Sequence, residues 1–357
     1  MESKFLQPIH LYILIIISTG FMVHVLIIPS LLSVAGRDAW LSVMASSVLV
    51  AVTIILVSSM NKTLDGRSLF TFLNDHYPHF LVQMLALIFA FVFIVEAFIS
   101  LKFSIGWTSS NYSYETPNLV ILIGYILVFI YAASKGWFVL GIIALLLFPI
   151  VSSFGLLVGI GNIPNKEYAL MFPVLQEGFG PMLQGLVYTQ AGFLEIFYIL
   201  FIVQFTKKRL STKGLFISGA ILLILLLGPL TGAISEFGYV EATNLSNPAY
   251  EQWRLLTLGR YITRLDFLSM FQWNSGALVR VVLFTIVASM LLPLRNRRIS
   301  LLLIYAVLFL ANLIPIPIHQ FRVWLTDYYF PFIFVFLSAS LLVFFILIKS
   351  KKEGTKA

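Results

Sequence analysis

Residues 183–205 read LQGLVYTQAGFLEIFYILFIVQF, and the centre of that run, Thr189-Gln190-Ala191-Gly192-Phe193-Leu194-Glu195, decides what kind of protein this is. The run is apolar at both ends and long enough to cross a bilayer as a helix, which takes about 20 residues. Its middle nevertheless carries a glycine, two uncharged polar side chains and a carboxylate. Gly192 weakens a helix by about 1 kcal/mol relative to alanine. Glu195 at membrane depth costs roughly 3 kcal/mol on insertion scales. Two such penalties within one turn point to a use. One reading is a discontinuous helix whose freed backbone groups face a midplane cavity, the geometry with which secondary transporters hold small solutes. The other is a packing glycine beside a carboxylate paired to a neighbouring helix.

The rest of the chain puts this run in a membrane. Of 357 residues, 60% are hydrophobic and 11% charged, against about 25% charged in soluble proteins. Such a chain reads as one polytopic unit over 1–357, without room for a second folded domain. The absence of cysteine excludes disulfides, iron–sulfur clusters and thiolate zinc sites. The first apolar segment exceeds a signal-peptide core, and no small-residue cleavage site follows it.

Ten spans are predicted, at about 9–34, 40–60, 80–104, 118–134, 137–158, 183–205, 214–236, 267–293, 299–316 and 329–349. Alternate connections then share a side. Lys4, Lys62, Arg67, Lys135, Lys207, Lys208, Arg209, Lys213, Arg295, Arg297, Arg298, Lys349, Lys351, Lys352 and Lys356 fall together, most of the 23 Lys and Arg. The positive-inside rule places that side, with both termini, in the cytoplasm. The net charge of +8 is therefore topological, and no nucleic-acid partner is expected.

Some connections have character of their own. Segment 68–77 (SLFTFLNDHY) reads as a short amphipathic piece at the cytoplasmic interface. Segment 161–181 is rich in Gly and Pro and reads as an outer loop. Segment 241–266 is the longest polar insertion; Tyr250, Trp253, Leu256 and Tyr261 recur near helical spacing, which predicts an outer amphipathic helix over the bundle. Pro29, Pro149 and Gly228-Pro229 should kink spans one, five and seven.

Span one carries Ser18-Thr19-Gly20, then His24 and Pro29, so spans one and six have the clearest polar interruptions. They open two five-span halves, about 1–160 and 161–357, and interruptions at corresponding positions point to an inverted-repeat binding site.

Glu96, Glu195 and Arg280 lie well inside spans three, six and eight, whereas Lys102 and Glu236 sit nearer span ends and can snorkel. Three uses fit the inner charges: an ion pair of Arg280 with Glu96 or Glu195, a titrating carboxylate that couples protons to solute movement, or contact with a ligand ammonium. His24 reads as a proton relay, a ligand contact or a hydrogen bond to a neighbouring helix. Gln272, Trp273 and Asn274 offer an aromatic wall with amide donors, and Trp273 equally reads as an interfacial belt residue. There is no Gly-rich phosphate loop, HExxH or GxSxG, so neither enzyme chemistry nor a cofactor or metal is expected.

Taken in order along the chain, several short motifs resemble one family. They are Pro29 followed by Arg37-Asp38-Ala39-Trp40, then Glu115-Thr116-Pro117, Lys135-Gly136, Pro173-Val174-Leu175-Gln176-Glu177-Gly178 with Pro181, and NPAYEQWRLLTLGRYITRLDFLSMFQW at 247–273. Together they resemble the B subunits of the GerA-type nutrient germinant receptors of spore-forming bacteria, a branch of the amino acid–polyamine–organocation transporter superfamily. The resemblance implies an all-α membrane protein: a ten-helix, five-plus-five inverted repeat with broken helices one and six. It also implies A and C subunit partners in the spore inner membrane. The implied pocket, for a small nutrient such as an amino acid, draws on Gly20, Met22, Val23, His24, Glu96, Thr189, Gln190, Gly192, Phe193, Glu195, Trp273 and Ala277. Gly192-Phe193-Leu194-Glu195 resembles the superfamily's Gly-Phe-Glu turn. Where relatives often show Gly-x-Gly at the first-helix break, this chain has Met22-Val23-His24, whose larger side chains narrow the pocket or shift the break toward Gly20. The implied function is germinant sensing; the alternative is a proton-coupled amino acid permease, and a further one an assembly subunit with a vestigial pocket.

Overall fold

The computed structural model of the chain describes residues 6–206, 208–259 and 261–353. Lys4, Lys207 and Lys356, used above to place charge, lie outside these, as does the side chain of Lys352. Among the described residues the chain is helical, with two isolated bridges and no strand. A bilayer offers no hydrogen-bond partner to the backbone, so a chain this apolar folds as helices that satisfy their own amides. Outward positions are apolar too: Phe91 and Ile224 are 67% and 68% exposed. A surface of that kind belongs against lipid, and the chain is an all-α membrane protein.

Among the described residues, seven helical runs are long and apolar enough to cross a membrane. The first, Pro8–Leu64, holds predicted spans one and two and turns at Gly36, whose φ of 52° suits a residue without Cβ. Predicted spans six and nine fall outside the seven. Span six changes from α-helix, Gly180–Phe193, to 3₁₀-helix, Leu194–Phe201 and Val203–Phe205. Span nine, Arg297–Leu313, has 17 residues, the short end of what a crossing needs. Between spans four and five Gly136, at φ 81°, lets Asn118–Lys135 and Trp137–Gly161 abut without a loop.

The spans pair in a pattern. Three packs along eight, two along seven and four along nine. One packs on five and seven, and six on ten and two; three packs on four, and eight on nine. Renumbering each span by five turns each pair of this set into itself or another of the set, although span eight also packs on one and five without a matching pair of that extent. The basic residues gather at one end: Arg209 pairs with Asp65, Lys349 donates to the Ser59 carbonyl and Arg297 approaches Gly136.

Segment 68–77 is amphipathic as expected, and segment 241–266 is corrected. The first forms the helix Leu69–Asn74 with Leu69, Phe72 and Leu73 buried, and Tyr77 donates to the Leu347 carbonyl at 2.7 Å. In 241–266 the helix is only Pro248–Leu255. Gly259, at φ 65°, and a bridge between Leu258 and Ile262 then turn the chain, so Tyr261 is 94% exposed and leaves the face that Tyr250, Trp253 and Leu256 bury.

Candidate functional site

Spans one, three, six and eight meet on one guanidinium. Arg280 donates through Nη1 and Nη2 to both oxygens of Glu195, each at 2.7 Å, and through Nη2 to Glu96 Oε2 at 2.5 Å. Its Nε donates to Ser100 Oγ at 2.9 Å and its Nη1 to the Ser18 carbonyl at 2.9 Å. A guanidinium has five N–H groups, and all five are used. Arg280, Glu96 and Glu195 are each wholly buried. Such burial is tolerable only because pairing and hydrogen bonding are complete around the cation. The sequence left open which carboxylate would pair with Arg280; the structure brings both to it.

Two carboxylates on one guanidinium leave the cluster one negative charge in excess when both are ionised. Glu96 Oε1 takes no donor from Arg280, and the hydroxyls of Tyr198 and Tyr329, which have no other partner among the described residues, stand beside Glu96 and interact with it. The cluster thus has a spare negative charge, which a proton or a ligand cation would satisfy. Neither tyrosine was singled out from the sequence. Tyr198 had a signal, because the 3₁₀ run Leu194–Phe201 places residues three apart on one face. Glu195, Tyr198 and Phe201 are therefore in line, the last two meeting Phe93 of span three. Tyr329 had none: it comes from the far end of the chain. Ser100 stands one turn from Glu96 and could have been read from that spacing.

The predicted breaks take a milder form than unwound backbone. In span one the helix continues through Gly20 and widens into a π turn at Met22–Leu26. In span six it tightens, with the Leu194 amide still bonded to the carbonyls of Gln190 and Gly192. Both segments around the predicted hollow stay helical. Gly192 is the contact: a Cβ there would lie 2.6 Å from both Val23 Cγ1 and Ile27 Cδ1. Met22, Val23, Gly192 and Phe193 are buried, and Ala277, three residues before Arg280, is too. At Gly192, therefore, spans one and six are in direct contact rather than separated by an open gap.

Other predicted contacts are spent elsewhere. Thr189 donates to the Leu186 carbonyl and Gln190 to Ser46 of span two. Gln272 donates to Val151, and Asn274 accepts from Tyr125 at 2.5 Å, so these amides tie spans four, five and eight rather than face a solute. Trp273 is not an interfacial belt residue: it is buried, stacks on Trp107 at 4.1 Å and on Phe103 at 5.7 Å, and meets Phe21 edge-on. This stack closes the cluster toward the end away from the gathered basic residues. Toward the basic end a thicker aromatic layer of Phe89, Phe93, Phe197, Phe201, Phe284 and Phe344 does the same.

His24 has a specific task. Pro229 lacks an N–H, so the Leu225 carbonyl of span seven has no partner in its own helix; His24 Nδ1 bonds it at 3.1 Å. The carbonyl accepts, which puts the ring proton on Nδ1 and ties span one to the kink. Replacing His24 with phenylalanine is expected to cost about 1–3 kcal/mol by orphaning that carbonyl. In a Pro229→Ala background the new amide serves Leu225 and the cost should shrink. A double-mutant cycle on thermal stability of the purified protein measures this, and equal costs in both backgrounds would refute it.

At the end away from the basic residues, the turn at Arg37-Asp38 straps the loop before span six. Arg37 donates to the Pro173 carbonyl and to Gln176 Oε1, and the Leu175 amide donates to Asp38 Oδ1. A cavity of about 360 Å³ lies under this strap.

A family model described as spore germination protein matches residues 6–321 of the chain. The chain is also 33% identical over 343 residues to spore germination protein XB of Bacillus anthracis, covering 94% of this chain and 96% of that protein.

Proposed function

We propose, from the premise that this chain belongs to the spore germination protein family, that it is the germinant-sensing B subunit of a nutrient receptor. It would bind a small nutrient such as an amino acid and signal to A and C subunits in the spore inner membrane, with both termini cytoplasmic. The observation that carries this reading is the Glu96–Arg280–Glu195 cluster, in which one cation joins four spans and faces two carboxylates. The span pairing supports two inverted halves, about 1–160 and 161–357.

An amino acid carries both charges that this cluster can exchange. Its carboxylate would take donors from Arg280, and its ammonium would take an oxygen of Glu96 or Glu195. The ends of the seam then part or close according to which state binds the ligand better, since equal binding to both states shifts nothing. Met22, Val23, His24, Gly192 and Phe193 act as the moving seam in this scheme, with Trp273 as a wall toward the entry side. Gly20, Thr189, Gln190 and Ala277 hold the helices around it.

The permease reading draws on the same spare negative charge, because a carboxylate that exchanges a proton can couple it to solute. The deep aromatic layer toward the basic end favours sensing, since release to that side would have to part rings from spans three, six, eight and ten. Radiolabelled amino acids offered to vesicles holding the isolated chain separate the two. Saturable binding without gradient-driven uptake is the expected result; concentrative uptake abolished by Glu195→Gln would establish the permease instead.

A further inference from the structure

Lys102 stands apart from the central cluster. It lies on His79–Asn111, and its ammonium donates to the carbonyl oxygens of Ile314, at 2.7 Å, and Asn312, at 3.3 Å, where the helix Arg297–Leu313 ends. Among the described residues no carboxylate pairs with it. Two carbonyl dipoles do not neutralise a full charge, and an ammonium has a third N–H. Lys102 lines a cleft of about 560 Å³ between the ends of three helices.

Three further features of the cleft select its occupant. The helix Asn118–Lys135 opens into it with no side chain capping its first amides, a place that favours negative charge. Asn312 also lines the cleft and is 8% exposed; its Nδ2 donates to Leu308, but its Oδ1 accepts nothing. A buried acceptor without a donor is costly, so the occupant should bring a hydroxyl or amine. Finally, Leu119, Leu313 and Ile314 on the rim are apolar and 46–57% exposed, on the surface that faces lipid.

We infer that this cleft seats the headgroup of an anionic phospholipid that carries a free hydroxyl, of the phosphatidylglycerol kind. Its phosphate meets Lys102 and the open amides of Asn118–Lys135, its headgroup hydroxyl donates to Asn312 Oδ1, and its acyl chains lie over Leu119 and Leu313. A lipid fits better than a free anion because the charged floor continues into an apolar rim. The site would fasten spans three, four and nine together, away from the central cluster.

Native mass spectrometry of the full-length chain, released from nanodiscs of phosphatidylcholine with phosphatidylglycerol, tests this. The wild type should retain phosphatidylglycerol, and Lys102→Gln should lower retention about fivefold, the factor expected for one basic residue at an anionic headgroup. Leu119→Trp fills the cleft from the exposed rim without touching the charge, and should lower retention as well; it decides the matter should Lys102→Gln fail to fold. Asn312→Leu should weaken phosphatidylglycerol while sparing phosphatidic acid, whose headgroup has no glycerol. Retention unchanged in Lys102→Gln and Leu119→Trp overturns the site. Displacement by soluble glycerol phosphate as readily as by lipid overturns the lipid as its occupant, and an equal loss of both lipids in Asn312→Leu overturns the hydroxyl contact.

Discussion

Arg280→Met is expected to leave little folded protein. Removing the guanidinium strands two wholly buried carboxylates, Glu96 and Glu195, beside each other. Breaking a buried pair in this way costs about 3–5 kcal/mol, a large share of the roughly 5–15 kcal/mol that keeps a typical domain folded. The triple variant Glu96→Gln, Glu195→Gln, Arg280→Met should recover most of that loss, because it removes the charges together with their partner. It should nevertheless fail to support germination in spores that carry it as their only copy. The recovery is the informative part: neutral amides and a thioether pack where a charge set stood, yet the response is gone. Thermal stability followed by monodispersity in detergent, with a spore germination assay beside it, measures both. An Arg280→Met protein as stable as the wild type would mean that the four-span junction does not hold the bundle together.

Gly192→Ala is the second large effect, and two magnitudes oppose each other there. Helix propensity alone would make alanine better by about 1 kcal/mol. Against it, the added Cβ meets Val23 Cγ1 and Ile27 Cδ1 at 2.6 Å, in a seam where Val23 and Ile27 are both fully buried. Overpacking of this kind costs about 1–3 kcal/mol. The clash should win, lowering the unfolding temperature, and Gly192→Leu should not fold. Val23→Ala added to Gly192→Ala should recover part of the loss, a coupling that residues far apart would not show. A stabilised Gly192→Ala would show that spans one and six do not approach so closely. Germination in the doubly substituted chain then reports whether seam volume, rather than the glycine itself, matters to the response.

The charges were legible because a membrane makes them rare. Glu96, Glu195 and Arg280 stood out in long apolar runs, and their cost demanded partners. Which carboxylate would be chosen was not legible, since that depends on where three helices cross. The glycine at 192 was equally visible, but its use was not: Met22-Val23-His24 suggested a narrowed gap, and only the tertiary structure shows spans one and six touching there. Gln272 and Asn274 misled for the same reason, because an amide on a helix looks identical whether it faces a solute or the carbonyl of Val151. His24 was read with its structural use among three, and its partner came from the proline at position 229, 205 residues later in the chain.

Composition and hydropathy by themselves determined that this chain is a membrane protein of helices, and roughly where those helices run, because lipid solvates neither charge nor free backbone. The order of its short motifs determined the family. Tertiary structure alone decided that Arg280 holds two carboxylates, that the breaks in spans one and six are a widened and a tightened helix, and that the two spans touch at Gly192. Those outcomes depend on distances of a few ångströms between side chains on different helices, and such distances are set by how whole helices pack together, which no single stretch of sequence records.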